Sequence, residues 1–150
     1  MKAVPAILVS SAIVVLFACS KDKFETKPRI EIKDLSSRDI TLGGELVVRL
    51  NYFDKEGDLG QAPFTAIRVR TNSIKLPPAQ EKADTFRYAL PEFPDKDNGE
   101  ITFRLSYDFL RESISPLIND SLIFRFAVTD RAGNHSDTID TEPIIIRQPQ

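Results

Sequence analysis

The sequence contains one cysteine, one histidine and no tryptophan among its 150 residues. A disulfide needs two cysteines, so no bridge within the chain can staple the fold, which has to rest on its apolar core. A structural zinc site uses about four nitrogen or sulfur ligands, more than Cys19 and His135 can supply. A Ser-His-Asp triad would depend on His135, and its neighbours Ser136 and Asp137 alternate in direction in an extended segment. These absences favour a non-catalytic protein that requires no cofactor.

The sequence also lacks a marked excess of positive or negative charge. Lys and Arg total 20 and Asp and Glu total 22, which gives a formal net charge of −2. Domains that bind nucleic acid usually carry a basic surface, so we expect no nucleic-acid partner. We find no internal repeat or low-complexity tract, and the length suits one domain after an N-terminal segment.

Residues 1–18 predict a signal peptide. A positive charge at Lys2 precedes a mainly apolar run from Ala3 to Ala18, and charged residues resume at Lys21. Signal peptides have an apolar stretch of roughly 7–15 residues, whereas a membrane-spanning helix needs about 20. The segment therefore favours export, with an uncleaved membrane anchor as an alternative.

Residues 16–19 (Leu-Phe-Ala-Cys) resemble the bacterial lipobox, in which an aliphatic and a small residue precede the cysteine. The resemblance implies that residues 1–18 are removed and that Cys19 carries a diacylglycerol on its sulfur and a third acyl chain on its nitrogen. Two or more acyl chains hold a protein stably on a membrane. Ser20 stands where an Asp would resemble an inner-membrane retention signal, so we expect the outer membrane, on its periplasmic or its outer side. An ordinary signal peptide is the alternative.

After a lipidated tether at residues 19–28, the apolar pattern changes to period two, which is typical of half-buried strands. For example, Ile101, Phe103 and Leu105 alternate with Thr102 and Arg104. The pattern predicts seven strands, at 30–32, 45–53, 67–69, 86–90, 101–107, 122–129 and 138–147.

Seven strands at this spacing over residues 29–147 predict an all-β, seven-stranded, antiparallel immunoglobulin-like β-sandwich. The cysteine pair and the tryptophan of antibody domains are absent, so the resemblance is to the wider sandwich architecture. Helical spacing of apolar residues within 108–118 predicts one or two helical turns.

Three carboxylates, on Asp54, Glu56 and Asp58, surround Gly57 directly after the second predicted strand. This pattern resembles the calcium-binding loops of cadherin-like and related sandwich modules. Ca²⁺ takes six to eight oxygen ligands, and a tight loop around a glycine can direct alternate side chains inward. The loop is therefore a candidate calcium site.

A second loop, residues 130–134, lies between the last two predicted strands and resembles a D-x-x-G-N hairpin of bacterial Ig-like domains. In a seven-strand sandwich this loop shares one end with the second-to-third and fourth-to-fifth connections. The alternative is turn chemistry alone, because Asp, Asn and Gly are the preferred residues of tight turns. The candidate ligands expected to meet there are Asp54, Glu56, Asp58, Asp130 and Asn134, with Asp95, Asp97 and Asn98 nearby.

Arginines on the predicted strands form a further pattern. On exposed faces they would offer a stripe for phosphates or acidic glycans. We expect instead that they pair with acidic residues across strands and discourage association at sheet edges. The arginines are Arg49, Arg68, Arg70, Arg87, Arg104 and Arg125.

Together these features predict a non-catalytic binding or structural module on the outer membrane, with another envelope protein as its partner. A glycan-binding accessory lipoprotein is the alternative, which a row of two or three coplanar exposed aromatic side chains would mark. A small hydrolase is a third hypothesis and needs a pocket that joins His135 or paired carboxylates to a nucleophile.

Overall fold

The computed structural model describes residues 26–72, 84–112 and 118–149, and they form an all-β fold. The predicted signal segment and Cys19 lie outside the described residues. Nine strands and one short helix occur in the described part. They are β1 (Arg29–Leu35), β2 (Asp39–Ile40), β3 (Glu45–Phe53), β4 (Pro63–Arg70), β5 (Thr85–Ala89), β6 (Asn98–Ser106), α1 (Tyr107–Arg111), β7 (Asp120–Val128), β8 (Ile139–Asp140) and β9 (Ile144–Ile146).

The strands form two sheets. Three strands build the first sheet in the order β1-β3-β6, and both pairs are antiparallel. The second sheet has the order β2-β9-β7-β4-β5, with β8 also paired to β7. Its pairs are antiparallel except for β2 with β9. One cluster of buried side chains draws on both sheets, so the fold is a β-sandwich.

The predicted count of seven strands is wrong, since the described residues contain nine. β2 has only two residues, too few to show alternation. The strand predicted at 138–147 is divided into β8 and β9. Between them, Pro143 has no N–H to give to a neighbouring strand. Thr141 stays attached to Phe124 of β7 through its own N–H (2.8 Å) and its hydroxyl (3.0 Å).

The predicted helical turns begin one residue earlier than expected, because α1 spans Tyr107–Arg111. The Ser106 hydroxyl accepts the Phe109 N–H at 3.3 Å and caps the first turn. Residues 113–117 of the predicted helical segment lie outside the described residues. In the described part of the chain, no helix combines the length and apolar character needed to cross a membrane.

Phenylalanines join the two sheets at the centre of the core. Phe103 of the first sheet contacts Phe64, Phe124 and Phe126 of the second, with ring centroids 5.9, 5.5 and 5.2 Å apart. Phe124 and Phe126 are fully buried. All the buried apolar side chains of this core lie between Ile30 and Ile146, so a chain that starts at residue 20 retains the whole described core.

The inward face of β4 differs from the sequence expectation. Phe64, Ala66 and Arg68 are buried, whereas Ile67 is only partly buried. Arg68 was expected to be exposed and is 4% exposed. Its Nε donates to Asp84 Oδ1 at 2.6 Å, and this ion pair offsets the cost of burying the guanidinium.

The strand arginines are mostly engaged with acidic residues, as expected. An anion-binding stripe would need free guanidinium groups, and these pairs leave few. Besides Arg68 with Asp84, the ion pairs are Arg49–Asp34, Arg70–Asp120, Arg104–Glu45 and Arg125–Asp140.

Candidate metal centre

Two loops with the same spacing leave the sandwich at one end. The first follows β3 and contains Asp54, Gly57 and Asp58, and the second follows β7 and has Asp130 and Asn134 in the matching places. Both fit the pattern D-x-x-G-[D/N], a repeat that the sequence analysis did not recognise. A five-residue loop motif that occurs twice is much shorter than the structural units of repeat proteins, so it does not stand out as an internal repeat.

The two loops also fold in the same way. In each, the glycine N–H donates to the backbone oxygen of the leading aspartate, at 3.0 Å for Gly57 and 3.1 Å for Gly133. The last N–H then donates to the aspartate carboxylate, at 2.8 Å in the first loop and 2.7 Å in the second. Both glycines have positive φ, +70° and +92°, a conformation that glycine adopts without steric cost. These hydrogen bonds fix the leading aspartate of each loop with its carboxylate directed inward.

A third loop, between β5 and β6, packs against both of these. The Asp54 N–H donates to the backbone oxygen of Asp97 at 2.7 Å. Arg131, which the sequence analysis overlooked, donates from Nε to the backbone oxygen of Asp58 at 3.1 Å and from Nη2 to Asp95 Oδ1 at 3.1 Å. Arg131 thus links all three loops, and no local sequence pattern marks that role.

Three carboxylates meet where these loops converge. Asp54, Asp58 and Asp130 each direct one carboxylate oxygen to a common place, and the three oxygens lie within 4.8 Å of one another. Asp54 and Asp130 are each 2% exposed, and Asp58 is partly buried. Like charges at this separation repel strongly where little water screens them. A cation or a bound proton would relieve this repulsion.

Two of the carboxylate oxygens lack a hydrogen-bond partner among the described residues. They are Oδ1 of Asp54 and Oδ1 of Asp58. Burial, together with the nearby Asp58 carboxylate, raises the pKa of Asp54 above its ordinary value of 3.8. An unpaired buried acceptor costs about 1–3 kcal/mol, and more when it is charged. Native proteins rarely leave such an oxygen without a partner, so each of the two has room for one further partner, a water or a cation.

Turn chemistry accounts for Asp130 and leaves these oxygens unexplained. Both oxygens of Asp130 accept from Asn134, one from the backbone N–H at 2.7 Å and one from the side-chain Nδ2 at 2.8 Å. In Asp54, Oδ2 accepts the Asp58 N–H at 2.8 Å, whereas Oδ1 has no hydrogen-bond partner among the described residues. Turn hydrogen bonds therefore explain both carboxylate oxygens of the leading aspartate in the second loop, but only one of the two in the first.

The structure brings together three of the five candidate ligands. Glu56 is exposed and lies outside the cluster. Asn134 faces Asp130 with its amide nitrogen and so orients a carboxylate. At the rim of the cluster, Asp95 pairs with Arg131, and Asp97 accepts from the Asn98 side chain at 2.6 Å.

The start of the described chain lies at the same end as the cluster. Arg29, at the beginning of β1, is in register with Phe53, the residue before Asp54. Lys27 forms an ion pair with Asp137, beyond the second loop. Residues 26–28, which precede β1, therefore lie at the same end of the sandwich as the three carboxylates.

His135 does not face its neighbours in the way a triad requires. Its Nδ1 lies 2.8 Å from the Thr129 hydroxyl. The Ser136 hydroxyl accepts the Val128 N–H and donates to the backbone oxygen of Asp137. Ser136 is thus engaged with backbone groups and has no contact with the imidazole.

Comparison with known proteins adds no assignment. The sequence matches no protein-family model, and no curated protein matches it significantly. The carboxylate cluster is consequently judged on its own geometry.

Proposed function

We propose that the chain is a non-catalytic structural and binding module of the bacterial cell envelope, stiffened at its loop end by one bound calcium ion. The observation that carries the proposal is Oδ1 of Asp54, an unpartnered oxygen on a side chain that is 2% exposed. The carboxylates of Asp58 and Asp130 stand beside it. A divalent cation would satisfy these oxygens and cancel the repulsion between the carboxylates.

The donor set favours calcium over other common metals. All three ligands are carboxylate oxygens, which suit hard cations, whereas zinc and copper sites draw on imidazole or thiolate. Ca²⁺ tolerates irregular loop geometry and completes its six to eight ligands with backbone oxygens and water. Mg²⁺ demands a near-octahedral shell and releases its water reluctantly, so we expect weaker binding of Mg²⁺.

We infer that the domain is anchored in the outer membrane through a lipidated Cys19. Residues 16–19 support this proposal, and so does the position of Lys27 and Arg29 at the carboxylate end of the sandwich. The nine residues 20–28 can extend to about 30 Å at most, which keeps that end close to the membrane. A calcium ion there would stiffen the join between domain and tether.

The anchor is tested by labelling cells with radioactive palmitate. The full chain should incorporate the label and fractionate with the outer membrane. Cys19→Ser should lose the label, because no other cysteine is present to carry the diacylglycerol. A Cys19→Ser chain labelled as strongly as the parent would disprove lipidation at this site.

We further propose that the sandwich is immunoglobulin-like. In support, the first, second and fifth strands of that plan would correspond to β1, β3 and β6 in one sheet, and its third, sixth and seventh strands to β4, β7 and β9 in the other. β5 pairs with β4 and leaves the edge of β6 uncovered, a variation of the constant-domain arrangement.

The glycan-binding alternative has no comparable support. Among the described residues, the exposed large apolar side chains are Leu42, Phe53 and Tyr88. Phe53 ends β3 in the first sheet, whereas Tyr88 lies on β5 in the second. Two aromatic rings on different sheets do not make a coplanar row, so we favour a protein partner.

Thermal unfolding of residues 20–150 in calcium or in chelator tests the metal site. Calcium at a hundred times its Kd should stabilise the domain by about 2.7 kcal/mol. Asp58→Asn should abolish this gain because it removes a cluster carboxylate. Glu56→Gln is the matched control in the same loop and should respond as the parent does, because Glu56 stays outside the cluster. Equal melting temperatures in calcium and chelator for the parent would rule out the site.

A further inference from the structure

The outer edge of β6 is a row of backbone groups with no partner among the described residues. β6 pairs with β3 on one side, and no described strand covers the other. Two backbone hydrogen bonds at the ends of this strand pair show which residues are hydrogen-bonded across it. The Tyr107 N–H donates to the Gly44 backbone oxygen at 2.9 Å, and the Asp54 N–H donates to the Asp97 backbone oxygen at 2.7 Å. Hydrogen-bonded and non-hydrogen-bonded residue pairs alternate along an antiparallel ladder. The odd-numbered residues of β6 therefore direct their backbone N–H and C=O groups toward β3.

The even-numbered residues, Glu100, Thr102 and Arg104, therefore direct their N–H and C=O groups outward. Their side chains are exposed on the outer face of the first sheet. A cleft of about 470 Å³ lies between β5 and this edge and is lined by Tyr88, Phe93 and residues 100–104. Among the described residues, the edge is therefore open to another strand.

The sequence of this edge is complementary to itself. β6 has nine residues, Asn98–Ser106, and Thr102 is its centre. If a second β6 approaches antiparallel about a two-fold axis at Thr102, Glu100 of each copy lies opposite Arg104 of the other. Opposite charges and Thr–Thr pairs directly across an antiparallel pair are favourable. The two-fold repeats the charge pair, so each dimer contains it twice.

We propose that the chain forms a homodimer through β6, in which the two first sheets join into one sheet of six strands. Existing ion pairs extend this contact. Lys33 contacts Glu100 at 2.6 Å, and Arg104 contacts Glu45 at 3.0 Å. In the dimer, Lys33 and Glu100 of one copy would be followed across the axis by Arg104 and Glu45 of the other. Positive and negative side chains would then alternate along each such row.

The other sheet edges are poorly suited to a second copy. On β5, the bonds from Arg68 N–H to Asp84 and from Leu90 N–H to Ala62 leave Thr85, Arg87 and Ala89 facing outward. A two-fold at the centre of β5 would set Arg87 against its own copy, and like charges there repel.

The remaining edges belong to β1, β2 and β8, and β8 has only two residues. A register shift, a local irregularity that hinders edge pairing, interrupts β1 between Ile32 and Asp34. β2 has only two residues, which is too short to support an interface. Among the described strands, β6 alone combines length, regular register and self-complementary charge.

Oxidative cross-linking of the full chain in bacterial envelopes tests the dimer. Thr102→Cys places two cysteines across the axis with Cα atoms about 5.5 Å apart, within the 4.4–6.8 Å range of disulfides. Most of this variant should become a species of twice the chain mass. Thr85→Cys is the matched control on the β5 edge and should stay monomeric. The parent chain reports any disulfide formed by Cys19 itself.

Charge exchange in the Thr102→Cys background tests the pairing. Glu100→Arg should weaken the dimer about tenfold, because each dimer then holds two Arg–Arg contacts. Adding Arg104→Glu should restore cross-linking, since the opposite charges are exchanged and kept. The proposal is overturned if Thr102→Cys forms no dimer, if Thr85→Cys cross-links equally well, if the double exchange fails to restore the dimer, or if the adduct mass shows a different protein.

Discussion

Replacing Phe126 with alanine is expected to lower the free energy of unfolding by about 3–5 kcal/mol. Phe126 is fully buried, and its ring contacts Phe64 (5.6 Å), Phe103 (5.2 Å) and Phe124 (6.0 Å). Truncation removes apolar surface from the core and leaves a cavity where the two sheets meet. No disulfide limits the unfolded chain, so the loss is a large part of the total stability.

Urea denaturation of residues 20–150 measures this loss. Phe53→Ala is the matched control, because Phe53 is 37% exposed at the end of β3 and touches mainly the Arg29 guanidinium, 4.3 Å from its ring centre. The control should cost less than about 1 kcal/mol. Similar losses for the two variants would show that Phe126 is not packed between two sheets.

Replacing Asp54 with asparagine is expected to have opposite effects with and without calcium. In chelator, the variant should be about 1 kcal/mol more stable than the parent. Asparagine keeps the oxygen that accepts the Asp58 N–H and puts a neutral amide where the parent has an unpartnered charged oxygen. In calcium at a hundred times its Kd, the parent gains about 2.7 kcal/mol and the variant does not, so their order reverses.

The pH dependence of stability, measured in chelator, is a second test of the effect of Asp54→Asn. Burial raises the folded-state pKa of Asp54 above 3.8, so the folded chain holds its proton more tightly than the unfolded chain. Stability of the parent should fall as pH rises from about 4 through that raised pKa. Below this window Asp54 is protonated in both states, and the advantage of Asp54→Asn should disappear.

Asp130→Asn is the matched control for these measurements. Both oxygens of Asp130 already accept hydrogen bonds from Asn134, so an amide at this position would set one donor against another. We expect a loss of stability of about 1–3 kcal/mol in chelator, opposite in sign to Asp54→Asn. A gain for both variants would mean that simple charge repulsion, with no specific site, explains Asp54.

Alternation in the sequence was sufficient to place the long strands and insufficient to count them. β3 matches its predicted limits of 45–53, because apolar residues occupy alternate positions along it, and Leu46, Val48, Leu50 and Tyr52 are all buried on one face. On β4, alternation of Ile67 and Val69 with two arginines suggested the wrong inward face. The Arg68–Asp84 ion pair joins β4 to the residue before β5 and has no local signal in the sequence.

Much the same limit applies to the carboxylate cluster. Residues 54–58 and 130–134 were recognisable because acidic residues next to glycine have few conformations in a tight loop. Which of these side chains point inward depends on backbone angles within the loop, and the sequence pattern groups Glu56 with Asp54 and Asp58, whereas the structure places Glu56 outside the cluster. Arg131 acts on two other loops, a role visible only after the chain is folded.

Isothermal titration of residues 20–150 with calcium measures ion binding at the carboxylate cluster itself. We expect one ion bound per chain, with affinity that falls on acidification as protons compete for Asp54. Asp54→Asn should bind at least tenfold more weakly, since it loses a charged ligand. An absence of binding heat at every calcium concentration, or a variant that binds as tightly as the parent, would contradict the proposed calcium site.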